Sequence, residues 1–339
     1  MMIEIDGSAG EGGGQILRTS LSLSAITGED IKVFNIRAKR PNPGLRAQHL
    51  TAVKAMAEIC NAKVEGARIG SKEIIFRPGN MRGGMFRFDV GTAGSITLVL
   101  QTILPPLLVA ERESVVKVIG GTDVKWAPQI NYFSDVFLQI LSMMGAQVSL
   151  RVMRRGYYPE GGGEVNIEIK PTKLSSLDIS SRVGSPLFGG LAHTQNLPDH
   201  VAERMVRTAA ECLGVSEENI KIDRRRGRST GAGIVLWAKY PNTILGADSL
   251  GERGVPAETV AKRCCLSLKE ELNSGATVDI HMSDQLMVYG ALSSRIIYTA
   301  RELTNHAKTN AEVLKKFGID VKIERKENLY MFRIGRGAK

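Results

Sequence analysis

Apolar positions along this chain switch between strand-like alternation and helix-like spacing, and the switches follow one order three times over. Each pass predicts a short strand, a glycine-rich or polar turn, a helix, a strand, a second helix and two closing strands. The first runs Ile3–Ile5, Gln15–Ile26, Ile31–Ile36, Ala47–Cys60, Ala62–Glu65 and Ile74–Phe76. The second runs Phe86–Val90, Ser95–Val109, Val115–Val118, Ile130–Met144, Val148–Val152 and Val165–Ile169. The third runs Val278–Ile280, Asp284–Leu292, Arg295–Tyr298, Ala307–Phe317, Asp320–Ile323 and Tyr330–Ile334. The second helices end in comparable breaks, Cys60-Asn-Ala-Lys-Val64, Met144-Gly-Ala-Gln-Val148 and Phe317-Gly-Ile-Asp-Val321, each followed by a strand.

Residues 182–275 interrupt this pattern with strands of their own at Leu187–Thr194, Ile220–Asp223 and Ala232–Trp237, and helices at Val201–Cys212 and Ala257–Leu272. The expected fold is therefore α+β. A discontinuous large domain of three βαβαββ repeats, 1–181 and 276–339, carries a smaller α/β domain, 182–275, between its second and third repeats.

Registering the repeats on their breaks puts His49 and His306 at equivalent positions near the N-terminus of a second helix. There the helix dipole and free backbone N–H groups favour anionic ligands and oppose protonation of an imidazole. A neutral imidazole is a nucleophile. With only five histidines in 339 residues, two in such polar settings need an explanation.

Forty-five Lys and Arg against 35 Asp and Glu give a formal net charge of +10, which favours a polyanionic partner. The four cysteines, Cys60, Cys212, Cys264 and Cys265, form neither a CxxC metal pair nor a dense disulfide framework, so a reducing cytoplasm is expected. Met2-Ile-Glu-Ile-Asp6 has no signal-peptide character, and the apolar stretch from Ile96 to Ala110 is broken by Gln101, Pro105 and Pro106. Neither export nor a membrane span is expected.

The turn Gly7-Ser-Ala-Gly-Glu-Gly-Gly-Gly14, between a strand and a helix, offers backbone N–H donors to a phosphate, although it is neither a P-loop nor a Rossmann turn. A carboxylate at Glu11 would repel that phosphate unless a divalent cation lies between them, which makes Glu11 a candidate metal ligand. Arg18, Arg37, Lys39, Arg40 and Arg46, with Gln48 and His49, form a basic cluster suited to a terminal phosphate or to a plain basic loop. Asp284 reads either as a helix N-cap after a strand or, with His281 and Gln285, as part of a site at the strand-to-helix switch. Gln101, in an otherwise apolar helix, needs a partner if buried. The loop Asp223-Arg-Arg-Arg-Gly-Arg228 is an RNA-backbone contact or a solvated surface loop.

Taken together, Gly7–Gln15 with Ile16-Leu-Arg18, Pro43-Gly-Leu-Arg-Ala-Gln-His-Leu-Thr-Ala-Val-Lys54, Phe76-Arg-Pro-Gly79, Gly91-Thr-Ala-Gly-Ser95 with Leu98-Val-Leu-Gln101, Gly120-Gly-Thr-Asp123, Tyr158-Pro-Glu-Gly-Gly-Gly163, Asp284-Gln-Leu286 and His306-x-x-Thr-Asn310 resemble the RNA 3′-terminal phosphate cyclases across nearly the whole chain. The resemblance implies repeats like the C-terminal domain of a translation initiation factor, with a small inserted domain. It further implies that His306 takes AMP from ATP, that AMP passes to an RNA 3′-phosphate, and that the neighbouring 2′-OH then expels AMP to leave a 2′,3′-cyclic phosphate. By position, Glu11 would hold Mg or Mn, and Arg18, Arg37, Arg40, Gln48 and His49 would engage phosphates. Gln101 and His281, Met282, Ser283, Asp284 and Gln285 would form the ATP pocket. A homodimer fits the same picture.

Two other readings compete. A non-catalytic RNA-binding relative acting in ribosomal RNA processing would lack the nucleophilic histidine, which His306 argues against. An enolpyruvyl transferase would need its site between two similar large domains, which the asymmetric insert does not fit.

Overall fold

The computed structural model describes residues 2–336 and contains four four-stranded sheets. In the first, Ile3–Asp6 runs parallel to Ile31–Phe34, which pairs antiparallel with Ile74–Arg77, itself flanked by Lys63–Glu65. The second repeats that order with Met85–Asp89, Ser114–Gly120, Gly163–Lys170 and Gln147–Arg154. A third has it again, with Leu177–Ile179, Ile296–Ala300, Leu329–Arg336 and Ile319–Lys326. The fold is thus mixed, with small sheets of both parallel and antiparallel pairs covered by helices.

The opening strand of the third sheet corrects the sequence reading. It is Leu177–Ile179, from before residue 182, and Val278–Ile280 is not a strand. The cause is Asp279, whose buried carboxylate accepts from the backbone N–H groups of His281 and Met282, from Gly246 N and from the hydroxyl of Tyr132. Those bonds turn the chain into the helix Ile280–Gln285. Asp279, not Asp284, is therefore the N-cap. A three-residue apolar run is too short for periodicity to separate strand from helix start.

Helices near the site are fixed by local chemistry. Gln15–Thr27 stops at Gly28, whose φ of 77° is the left-handed cap that glycine adopts without cost. Ser95 caps Ile96–Leu107 by accepting from Leu98 N, and Thr304 caps Asn305–Lys316 by accepting from Ala307 N, with Lys315 and Lys316 against the negative end of the dipole. Residues 130–143 form the expected helix with a π-type turn over Phe133–Phe137.

The fourth sheet, in spatial order Ile220–Arg225, Leu187–Gln195, Gly231–Lys239 and Ile244–Leu250, packs against Asp199–Leu213 and Ala257–Ser274 around its own apolar core, which includes Met205, Ile234, Leu236, Val260 and Leu268. The strand Ile244–Leu250 was not anticipated, because Gly246, Asp248 and Ser249 mask its pattern. Cys212 and Cys265, 53 residues apart, form a disulfide between the two helices, with Cα atoms 6.5 Å apart. The reading of the four cysteines did not foresee this pair, because it depends on helix packing, which spacing in sequence does not reveal.

A buried polar seam joins the two cores. Arg155, 2% exposed, reaches Asp123 at 2.9 Å, Asp223 at 2.9 Å and Asn131 at 2.6 Å, while His193 bridges Tyr157 and Gln129. Burial, reinforced by the Arg155 charge, drives the His193 pKa down to about 3, so the ring sits neutral in the seam.

Candidate active site

Three chain segments meet around His306. The glycine turn brings Glu11 and, as the first residue of its helix, Gln15; the second residue of the helix Asn305–Lys316 brings His306; the helix Ile280–Gln285 brings Asp284. Gln15 donates its amide N–H to the Asp284 carboxylate and turns its carbonyl oxygen to Nδ1 of His306. Nε2 of His306 lies 3.1 Å from Oε2 of Glu11, and Nη2 of Arg40 lies 3.2 Å from the same oxygen. His306 remains accessible, with 42% of its side chain exposed.

Behind this front lies a pocket lined by Arg18, Gln101, Asp284, Gln285, Tyr289 and Asn310, among others. Gln101, half-buried, donates to Oε1 of Gln285 at 2.9 Å. Asn310 accepts from Thr19 Oγ1 at 2.8 Å and donates to the backbone oxygen of Asp284 at 3.0 Å, which ties two helices and the short Asp284 helix together. Burial pulls the Arg18 guanidinium down to about 10, opposed by the charge of Asp284. Burial pushes the Asp284 carboxyl up, opposed by the charges of His306, His281 and Arg18.

His49 packs edge to backbone on Gly14: a Cβ there would sit 2.1 Å from Nε2, so only glycine admits the ring. Its Nδ1 accepts from Arg46 N at 3.3 Å, and burial, followed by the charges of Arg18, Arg37 and Arg46, drives its pKa down to about 3. The neutral imidazole expected there is present, with desolvation as the main cause.

Other anticipated residues serve the surrounding loops. Gln48 accepts from Ser95 N at 2.9 Å, and Arg37, at a φ of 55°, spends Nη1 on the backbone oxygens of Asn42 and Gly44. Lys39 donates to the oxygen of Gly10 at 2.9 Å. Of the 281–285 segment, Asp284 and Gln285 line the pocket and His281 is exposed, edge-on to Tyr132. The side chains of Met282 and Ser283 are buried away from it, Met282 in the apolar core and Ser283 bonded to Ile280 O. Gln15, Thr19 and Asn310 were not singled out as site residues beforehand; Gln15 and Asn310 were visible only as members of longer matching segments.

Among the described residues no three His, Cys, Asp or Glu side chains converge as a metal cluster. Glu11 alone still suits a hard cation that takes one carboxylate and completes its shell with phosphate oxygens and water, which is how magnesium commonly binds.

The model of the RNA 3′-terminal phosphate cyclase family matches residues 9–324. A protein called RNA 3′-terminal phosphate cyclase from Archaeoglobus fulgidus is 50% identical over 328 residues, covering 95% of this chain and 98% of its own. Another of that name from Sulfurisphaera tokodaii is 48% identical over 338 residues, covering 98% of each. The chain belongs to the RNA 3′-terminal phosphate cyclase family of enzymes. Among solved structures, the enolpyruvyl transferase NikO from Streptomyces tendae aligns at 9% identity and a TM-score of 0.40, covering 98% of this chain and 48% of that one, too low a similarity to bear on fold or function. No helix among the described residues is long and apolar enough to cross a membrane.

Proposed function

We propose that this chain uses ATP to convert an RNA 3′-terminal phosphate into a 2′,3′-cyclic phosphodiester, releasing AMP and pyrophosphate. The observation that carries this reading is the bonding of His306. With Gln15 held by Asp284 and accepting at Nδ1, the ring's other nitrogen, Nε2, is directed to Glu11 and the Arg40 side of the site. A histidine so fixed presents the Nε2 lone pair for attack once that nitrogen is unprotonated.

In the first step Nε2 attacks the α-phosphorus of ATP; a P–N bond forms, the α–β bridging P–O bond breaks and pyrophosphate leaves. An oxygen of the RNA 3′-phosphate then attacks the same phosphorus, and the P–N bond breaks with its electron pair returning to Nε2. Lastly the 2′-OH attacks the RNA phosphorus, AMP departs with the bridging oxygen, and the hydroxyl proton passes to solvent. Each step accumulates negative charge, which the guanidinium groups of Arg40 and Arg18 would offset, while His49, Gln48 and Arg37 would shape the loops that receive the RNA end. Gln101, Asp284, Gln285 and His281 would hold the nucleotide. A divalent ion would neutralise the triphosphate, with Glu11 its protein ligand. When the ring is protonated Glu11 pairs with Nε2, so drawing that carboxylate toward a cation also frees the nucleophile.

The same reading includes a large domain of three like repeats, 1–181 and 276–339, with 182–275 inserted. Three sheets of one strand order, and a separate apolar core within the insert, support it.

The test is incubation with α-³²P-labelled ATP and a divalent metal, followed by denaturing gel and acid or alkali treatment. An acid-labile, alkali-stable label that is absent from His306→Ala is expected. No covalent label across metals and temperatures would favour an RNA-binding protein without the chemistry.

A further inference from the structure

We infer that Trp126 and Tyr158, with Arg228 against the Tyr158 turn and Arg226 on the same loop, form a stacking platform for the single-stranded RNA that leads to the 3′ end at His306. The inference rests on the RNA reading above and adds where the rest of the strand lies. Trp126 is 95% exposed and Tyr158 78% exposed. One exposed apolar side chain is ordinary, but Trp126 also holds a φ of 69°, a left-handed backbone that a bulky residue keeps only when its surroundings enforce it.

The loop carrying Trp126 is tied to the loop carrying Tyr158, because Thr122 N and Asp123 N both donate to Gly156 O, at 2.8 and 3.2 Å, and Gly156 N donates back to Thr122 Oγ1 at 2.9 Å. The Tyr158 turn closes through Gly161 N to Tyr157 O at 2.8 Å. It is pinned to the basic loop of the inserted segment by Glu160 N donating to Ser229 Oγ at 3.2 Å, and Gly162 lies so close to Arg228 that a Cβ would come 2.9 Å from its Cδ.

A continuous line of contacts joins this platform to the site. Gly161 rests on Thr92 and Ala93 with no room for a Cβ, Ser95 N donates to Gln48, and His49 rests on Gly14 next to Gln15 and His306. The 91–95 loop, exposed at Gly91 and Thr92, therefore lies between the platform and the site.

Charge selects the partner. Arg224 is paired with Asp199 and Glu203, and Arg225 with Asp223, whereas among the described residues neither Arg226 nor Arg228, both exposed, has a carboxylate within ion-pair distance. Lys125 is held by Glu252 at 3.1 Å and Glu160 is exposed nearby, so the positive character rests on the two free arginines. Aromatic faces beside uncommitted guanidinium groups fit unstacked bases and a phosphate backbone, without preference for sequence.

The experiment is equilibrium binding of fluorescein-labelled 3′-phosphate oligoribonucleotides, a dinucleotide and a dodecamer, to the full chain and to Trp126→Ala, Tyr158→Ala, Arg228→Ala and Trp126→Phe, with unfolding midpoints checked for each. Loss of roughly tenfold in dodecamer affinity for each aromatic→Ala variant, a smaller loss for the dinucleotide, retention in Trp126→Phe and a shallower salt dependence in Arg228→Ala are expected. Dodecamer affinity in Trp126→Ala and Tyr158→Ala equal to that of the unaltered chain overturns the platform and leaves the RNA reading standing. No affinity of the unaltered chain for either oligonucleotide overturns both.

Discussion

The side-chain amide of Gln15 donates to the carboxylate of Asp284, 269 positions away in sequence. With the Asp284 carboxylate ionised, that bond turns the amide oxygen of Gln15 toward His306, and the ring's Nδ1 then carries the hydrogen. Replacing Gln15 with Leu removes that constraint at nearly the same volume. Labelling of the protein by α-³²P-ATP is expected to slow by at least about a hundredfold, the lower end of what a positioned acid–base histidine contributes. Single-turnover label incorporation measures it, and a rate equal to that of the unaltered protein would remove Gln15 from the mechanism.

Glu11 contacts both His306 and Arg40, so on the proposed reading its loss has two opposed effects: Nε2 is released, and a bound cation would lose its protein carboxylate. If metal binding dominates, Glu11→Ala labels at least tenfold more slowly at low magnesium and recovers partly as magnesium is raised, while RNA affinity changes little. A magnesium titration of label formation separates the two effects. Faster labelling at every magnesium concentration would mean that Glu11 only restrains the histidine.

Asn310 tests the framework behind the site. Asn310→Ala strands the buried Thr19 hydroxyl and the Asp284 backbone oxygen. A loss of about 2–3 kcal/mol is expected, read from urea unfolding midpoints at unchanged slope.

The neutral histidines predict an acid-sensitive stability. His193 and His49 both have folded pKa values of about 3, below the ordinary 6.5. Between those values the unfolded chain binds protons that the folded chain does not. Their contribution is therefore fully present above pH 6.5 and is lost progressively as pH falls toward 3, at up to about 1.4 kcal/mol per pH unit for each ring. Asp248 and Glu271, raised by burial, act in the opposite sense, so the difference between the unaltered protein and His193→Asn is the quantity to follow. A shallower fall from pH 6.5 to 4.5 in the variant is expected in denaturation curves.

The Cys212–Cys265 bridge closes 53 residues of the insert. On loop-closure entropy it is expected to contribute roughly 4 kcal/mol, so dithiothreitol should lower the unfolding midpoint of the native protein and leave that of Cys212→Ser unmoved.

Much of this architecture was legible in one chain. The alternation of helix and strand periods gave most element positions, because an element that buries one face must repeat its apolar residues at the period of its backbone, and Ser95, Thr304 and Gly28 mark ends by chemistry that acts over a few residues. His306, Glu11 and Arg40 were singled out because each stood in a turn or at a helix start, and Asp284 because the pattern read it as a helix start that the fold gives to Asp279.

What the tertiary structure alone decided is distance between remote positions. That Leu177–Ile179 completes a sheet with Ile296–Ala300, that Cys212 meets Cys265, that Arg155 and His193 share a seam, and that Gln15 stands between His306 and Asp284 all depend on how helices and sheets pack. Local periodicity reports which face of an element is buried and carries no information about what it is buried against. The same limit explains Arg37 and Gln48, whose types suited phosphate but whose bonds in the folded chain go to neighbouring loops.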